Sequence, residues 1–262
     1  MNEEKTAGSP NPRIARVVGV ASGKGGVGKS TIAVLLAQAL AAKGSRVGIL
    51  DADITGPSVP RLLGVDSFRA EADAGKLVPI KSDDGIEVMS INFLIEEESR
   101  PVIWRGPLLS QAVKQFWTDT AWGDLDWLIV DLPPGTSDVM LTALQSLPFD
   151  GLVFAATPQD FVSMIVAKAV HMAGQTDTRA LGLVVNMESL VCPHCGKEIS
   201  LFSSEGTEAP DLGMPVLARM PWRADLAQKR HLLWNRLSEE VRRAASDLAE
   251  GVEGTLARAE VR

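Results

Sequence analysis

The chain has 262 residues, 45% of them apolar and 23% charged, the composition of an ordinary globular domain large enough to bury a core without disulfides or a structural metal. Its 26 Lys and Arg against 33 Asp and Glu leave a net charge of −7, which argues against a general nucleic-acid coat, since affinity for phosphate backbones needs clustered positive charge. The two cysteines share one tetrapeptide, so a disulfide framework is excluded, and no apolar stretch approaches the roughly 18 to 20 residues that cross a bilayer.

Residues 1–13 are polar, contain two Pro and two Asn, and hold no signal-peptide core. They predict a disordered leader, and with no export signal the expected location is the cytoplasm. From Val17 the run VVGVAS reads as a buried parallel strand, followed by a glycine-rich turn and then STIAVLLAQALAAKG, whose Ala and Leu content predicts a helix closed by Gly44. VGIL at 47–50 completes a right-handed βαβ unit. Further apolar runs at 87–91, 127–130, 151–157, 181–186 and 215–220 alternate with helix-length stretches at Pro107–Trp117, Asp138–Gln145 and Gln159–Ala173. That alternation predicts an α/β fold, a doubly wound and mainly parallel sheet flanked by helices.

The expected organisation is one domain over 14–251 with a short tail at 252–262. Leu226, Leu233, Leu237, Val241, Ala244 and Leu248 predict an amphipathic helix over 224–250, ending near Gly251. Its polar face mixes both signs of charge and does not suit anionic lipid, so it is assigned to packing or dimerisation. Trp104, Trp117, Trp122 and Trp127 are expected in the core, and His171 and His231 at the surface or its boundary.

The most informative segment is GKGGVGKS, from Gly23 to Ser30, which matches the G-x-x-x-x-G-K-S/T phosphate loop directly after a strand and at the opening of a helix. Gly25, Gly26 and Gly28 let backbone N–H groups turn toward phosphate oxygens, and Lys29 is placed to reach the β and γ phosphates. Ser30 is the expected Mg²⁺ ligand, with Thr31 a neighbouring donor. Asp51 and Asp53 after one strand and Asp131 after another stand where open sheets bind ligands. Asp131 is assigned to the Mg²⁺ shell through water, Asp53 to orienting or activating the attacking water, and Asp51 to anchoring the turn. Lys24 is a second loop lysine, five positions before Lys29, placed to touch the γ-phosphate of a partner subunit across a two-fold axis.

Cys192 and Cys195, in CPHC, form half of a soft-metal site. A two-fold axis near them would assemble four thiolates from two chains. The residues themselves leave a bridging iron–sulfur cluster, a bridging zinc, with His194 as a possible third ligand, a redox dithiol and an inert turn all open.

The strings VASGKGGVGKST at 20–31, VGILDADITGPSVPRLLGV at 47–65, IWRGPLL at 103–109, WGDLDWLIVDLPPGTSD at 122–138, ATPQ at 156–159 and VNMESLVCPHCGKEI at 185–199 resemble the deviant-Walker-A ATPases. That group includes MinD, ParA and the nitrogenase iron protein, and the match is close to its Mrp/ApbC iron–sulfur carriers. The resemblance implies a homodimeric ATPase that uses ATP and Mg²⁺. It further implies an iron–sulfur cluster, of 4Fe-4S type, bridging two subunits through Cys192 and Cys195 and passed from a scaffold to apo client proteins, with neither nucleic acid nor membrane as partner. By position, Lys24 is similar to the intersubunit lysine, Gly23, Lys24, Gly25, Gly26, Val27, Gly28, Lys29, Ser30 and Thr31 to the phosphate loop, Asp53 to the first switch, Asp131–Gly135 to the second, and Asn186 to the asparagine that contacts adenine. The chain departs from the pattern at FSSEGTEAP, at MPWRADLAQKR and at Ser137, where glycine is usual. The rival readings are a positioning or partition ATPase of MinD or ParA type and a nucleotide-gated reductase similar to the nitrogenase iron protein.

Overall fold

The computed structural model describes residues 14–53, 56, 58–94, 106–159, 164–192, 194–201, 213–223, 226 and 231–260. The expected leader and Trp104 lie outside them. Val17–Ser22 forms β1, Lys29–Ala42 α1 and Val47–Asp51 β2, and every residue of both strands is buried. Strands covered on both faces have no reason to alternate apolar with polar residues, which is why these read as continuous apolar runs. Helix α1 is likewise apolar almost all round, and Ile32 to Leu40 are all buried, as befits a helix between the sheet and a second helix.

A four-residue helix α2 (Val59–Leu62) and a small hairpin of β3 (Ala72–Asp73) and β4 (Lys76–Leu77) precede β5 (Ile80–Lys81) and β6 (Glu87–Ser90). There follow α3 (Gly106–Asp119), β7 (Trp127–Asp131), α4 (Asp138–Ser146), β8 (Gly151–Ala156), α5 (Met164–Gln175) and β9 (Ala180–Val191). β10 (Glu198–Ser200), β11 (Val216–Trp222) and α6 (Glu239–Glu260) complete the described elements. The sheet order is β5-β6-β2-β7-β1-β8-β9, with β10 antiparallel to the end of β9 and β11 parallel along β9. Only β5 and β10 run against the rest, so the expected mainly parallel, doubly wound sheet is what the chain forms. β7 lies between β1 and β2, and Asp131 stands in register with Val20 on one side and Asp51 on the other. Ser137, the departure from glycine, caps α4 by accepting from the Met140 N–H at 3.3 Å.

The C-terminal helix differs from expectation at both ends. Residues 234–236 form a 3-10 turn, and α6 starts only at Glu239. Ser238 accepts from the Val241 N–H at 3.3 Å, and Glu239 and Glu240 occupy the first turn, where negative charge favours the helix dipole. The helix runs on through Gly251 to Glu260, with Val252 and Leu256 buried beyond it. Gly251 sits against β11: a Cβ there would lie 3.1 Å from Leu217 Cδ2, so a small residue at this point serves close packing rather than termination. Trp117 and Trp122 are buried and Trp127 partly so, as expected. No helix among the described residues is long and apolar enough to cross a membrane.

Because Leu248 is fully buried where α6 meets the core, Leu248→Ala is expected to lower unfolding stability by about 2–5 kcal/mol, while Arg258→Ala on the exposed face changes it by less than about 0.5 kcal/mol. Urea denaturation of the two variants measures the difference.

Candidate functional site

β1 ends on Ser22, whose hydroxyl donates to the Lys24 carbonyl at 3.0 Å and starts the glycine-rich turn. Gly26 and Gly28 both take φ of 83°, the left-handed region that side chains with a Cβ disfavour. Gly28 is also the N-cap of α1, its carbonyl accepting from the Ile32 N–H at 3.0 Å. The loop therefore closes onto a helix N-terminus whose first N–H groups have no intrahelical partner and point outward.

Lys29, the first residue of α1, is buried, and its Nζ donates to Asp131 Oδ1 at 2.7 Å and lies 3.5 Å from Asp53 Oδ2. Ser30 Oγ donates to the other Asp131 oxygen at 2.5 Å. One ammonium and one hydroxyl thus saturate a fully buried carboxylate. Asp51 is equally buried and accepts from the Asp53 N–H at 3.2 Å, the Val59 N–H at 3.3 Å and Ser90 Oγ at 3.3 Å. It straps the turn that carries Asp53, in the anchoring role assigned to it. Burial pushes the Asp51 carboxyl well above the usual carboxylate range, with the Asp131 charge adding to the rise and Lys29 opposing it. Burial also raises Asp131, against the pull of Lys29 and Ser30. Two carboxylates, Asp53 and Asp131, thus hold the one buried lysine, with Asp51 opposite Asp131 on the neighbouring strand.

A cleft of about 280 Å³ opens over this group, lined by the loop from Lys24 to Thr31, by Asp53 and Pro134, and by Gly56, Ser58 and Leu62. Val27 is buried beneath it and Lys24 is exposed at its mouth. The wall formed by Gly56, Ser58 and Leu62 was not among the candidates; its only sequence signal is the Pro- and Gly-containing run that directly follows Asp53.

Asn186 is buried on β9, next to the loop: its Nδ2 donates to the Val27 carbonyl at 2.8 Å and its Oδ1 accepts from the Met187 N–H at 3.0 Å. A Cβ on Gly28 would fall 2.2 Å from Asn186 Nδ2. The amide expected at the base therefore grips the backbone of the phosphate loop. β9 continues past the last β8 pair, Ala156 with Val185, and at the usual rise of about 3.3 Å per residue it takes the chain roughly 20 Å further to its end at Val191, just before Cys192.

Cys192 and Cys195 lie in the turn between β9 and β10. The turn is closed by the Cys192 N–H on the Lys197 carbonyl and the Gly196 N–H on the Cys192 carbonyl, both at 2.9 Å. Both thiols are free, Cys192 half-buried and Cys195 exposed. Backbone N–H groups of Cys195 and His194, then the Cys195 side chain, hold the Cys192 thiol below its ordinary range, so the turn favours thiolate. Among the described residues no three of His, Cys, Asp and Glu gather at a metal-sized site, and His194 joins no such cluster. A CxxC turn of one chain is two ligands.

A family description, "ParA: NUBPL iron-transfer P-loop NTPase", matches residues 13–252. The iron-sulfur cluster carrier protein of Clostridium perfringens is 48% identical over 224 residues, 82% of this chain and 78% of that one. The protein of the same name from Methanocaldococcus jannaschii is 41% identical over 251 residues, 92% and 87% of the two chains. Among solved structures, the nucleotide-binding protein from Archaeoglobus fulgidus in complex with ADP superposes with a TM-score of 0.73 at 37% identity, over 94% of this chain and 90% of that one. MinD from Aquifex aeolicus, at 19% identity and a TM-score of 0.66 over 92% and 97%, shares the fold.

The contrast between two loop glycines tests the geometry without any ligand. Gly28→Ala meets both a left-handed backbone and the Asn186 amide, whereas a Cβ on Gly25 meets nothing within 4 Å. Gly28→Ala is expected to lower stability by at least about 1–2 kcal/mol, and Gly25→Ala by less than about 0.5 kcal/mol, as read from thermal unfolding.

Proposed function

The chain belongs to the ParA family of NUBPL iron-transfer P-loop NTPases, and on that premise we propose that it binds ATP with Mg²⁺, hydrolyses it, and carries an iron–sulfur cluster on Cys192 and Cys195 for delivery to apo client proteins. The observation that carries this reading is the C-terminal end of one parallel sheet, which bears both a phosphate loop, with its buried lysine held between two carboxylates, and a turn that presents two free cysteines. The relatives called iron-sulfur cluster carrier protein support it over most of this chain's length.

Lys29 rests on Asp131 and Asp53; phosphate oxygens take over part of that charge and free Asp53 to orient the attacking water. Ser30 Oγ, already paired with Asp131, and Asp131 are the residues that would hold Mg²⁺, the carboxylate through water. This donor set fits a cation that keeps most of its water and takes one or two protein oxygens. Magnesium supplies charge neutralisation across the β and γ phosphates. Lys24, at the mouth of the cleft, reaches the nucleotide of a second copy, and Asn186 contributes to the adenine side.

Two thiolates complete half of a four-thiolate cluster site, so the cargo of 4Fe-4S type is held between two copies of the chain. The cluster arrives from a scaffold and leaves to a client in the cytoplasm, and the net charge of −7 supports protein partners rather than nucleic acid or anionic membrane.

Anaerobic reconstitution with iron and sulfide, read by iron content, visible absorption and solution mass, is expected to yield a brown dimer holding about four irons per two chains, and Cys192→Ser is expected to lose it. Equal iron in the two proteins would end the carrier reading. Asp53→Asn is expected to retain nucleotide binding, measured by calorimetry, while slowing phosphate release by about 10²- to 10⁴-fold.

A further inference from the structure

The phosphate loop and the cysteine turn meet on one strand. β9 carries Asn186 against the loop and delivers Cys192 one residue after its end, and between the two its path is broken once. Along β11, Ala218 pairs with Val184, Arg219 with Val185 and Met220 with Asn186; the next pair is Trp222 with Leu190. Three residues of β9 therefore face Pro221 alone, and a proline, having no N–H for the ladder, marks a place where a bulge costs little pairing. In the bulge Met187 takes φ of 58°, a left-handed conformation that a residue with a long side chain rarely adopts.

The Asn186 side chain holds both ends of this arrangement, its Nδ2 on the Val27 carbonyl inside the loop and its Oδ1 on the Met187 N–H inside the bulge. Beyond the bulge the hairpin is cross-linked. Ser189 Oγ donates to Glu198 at 2.5 Å, Glu198 stands opposite Val191, and Cys192 closes on Lys197. Glu188 with Arg219 and Leu190 with Trp222 tie its root to β11. Residues 189–201 are stitched into one unit that turns about the segment at 187 together with the end of β11.

Building on the proposed nucleotide and cluster chemistry, we propose that Asn186 is the positioning residue that couples the occupant of the phosphate loop to the aim of the cysteine turn, with the bulge at Met187 as hinge. A ligand shifts a conformational equilibrium only through groups that distinguish its presence. Val27 and Gly28 belong to the loop that closes on phosphate, and Asn186 touches the Val27 carbonyl directly while leaving no room for a Cβ on Gly28. When the loop re-forms around nucleotide, the amide that caps Met187 must re-form with it. Met187 then leaves or keeps its strained conformation, and the stitched hairpin turns accordingly. Asp131, by contrast, sits on β7, where its carboxylate is held by Lys29 and Ser30.

The test uses the full-length, cluster-free, reduced protein and the rate of iodoacetamide alkylation at Cys192 and Cys195, resolved by mass spectrometry, with and without a non-hydrolysable ATP analogue and Mg²⁺. Each protein is studied at analogue concentrations that saturate its own measured Kd. In the wild type the analogue is expected to change the alkylation rate about fivefold or more, the lower range of ordinary coupling between sites. Asn186→Asp keeps an acceptor for Met187 but loses the donor to Val27, and is expected to bring the ratio toward one. Met187→Gly accepts φ of 58° without strain, so it is expected to lose most of the nucleotide effect with no loss of thermal stability, a result that mere structural damage would not produce. An unchanged rate in wild type with analogue bound, or a full response in either variant, would overturn the coupling alone; a wild type that binds no analogue would overturn the proposed function with it.

Discussion

The ion pair between Lys29 and Asp131, at 2.7 Å and shielded from water, is the contact on which the site depends. A buried ammonium without a partner is too costly to keep, so the strand bearing Asp131 has to lie beside the strand that feeds the loop. The sheet order meets that requirement by placing β7 between β1 and β2, although β1 and β2 are neighbours in sequence. The same order sets Asp51 opposite Asp131; loss of solvation raises both carboxyls, with the Asp131 charge adding to the rise at Asp51 and the Asp53 charge to that at Asp131. Asp51 then uses its oxygens to hold the turn that presents Asp53. The arrangement gathers a lysine, a hydroxyl and a helix N-terminus at one place, the donors that a phosphate group needs.

The far side of the sheet meets a different constraint. β9 has to pair with β8 over its first half and then leave it, because β8 ends at Ala156 while β9 runs to Val191. Its free length pairs with β11 and with β10 instead, which makes a projecting hairpin out of what would otherwise be an edge. The projection carries the cysteines away from the phosphate loop while the strand's root stays against it. Exposed Ile199 and Leu201 lie on this hairpin beside the cysteine turn, in keeping with a surface that meets other protein.

Several features were legible in the residues because their causes are local. The phosphate loop needs glycines, a lysine and a hydroxyl within eight positions, and GKGGVGKS contains them in order; the buried strands announce themselves as β-branched runs; the CPHC turn needs only its own four residues. Asp131 could be placed because a carboxylate at the end of an apolar run falls at the ligand-binding edge of any parallel sheet. The C-terminal helix departs from its apolar spacing at both ends for a physical reason. Apolar spacing of three and four continues through Leu233 and Leu237 into a segment that is extended and 3-10 in fact, because Ser238 caps α6 after it, and Gly251 is used for packing against Leu217 rather than for stopping the helix.

The chemistry available to this protein is written in its residues: a phosphate-binding loop, three strand-end carboxylates, a pair of thiols and the alternation that makes a parallel sheet. How those parts are joined depends on the folded chain. Asn186 and Val27 are 159 positions apart, and nothing in either neighbourhood says that an amide will hold a loop carbonyl. Met187 is an ordinary residue whose left-handed backbone lies opposite a proline on β11 and donates its N–H to the side chain before it. Local patterns select elements because propensity and periodicity act over a few residues; the contacts that link loop, strand and cysteine turn follow from strand order and register, which are settled only when the whole sheet packs at once.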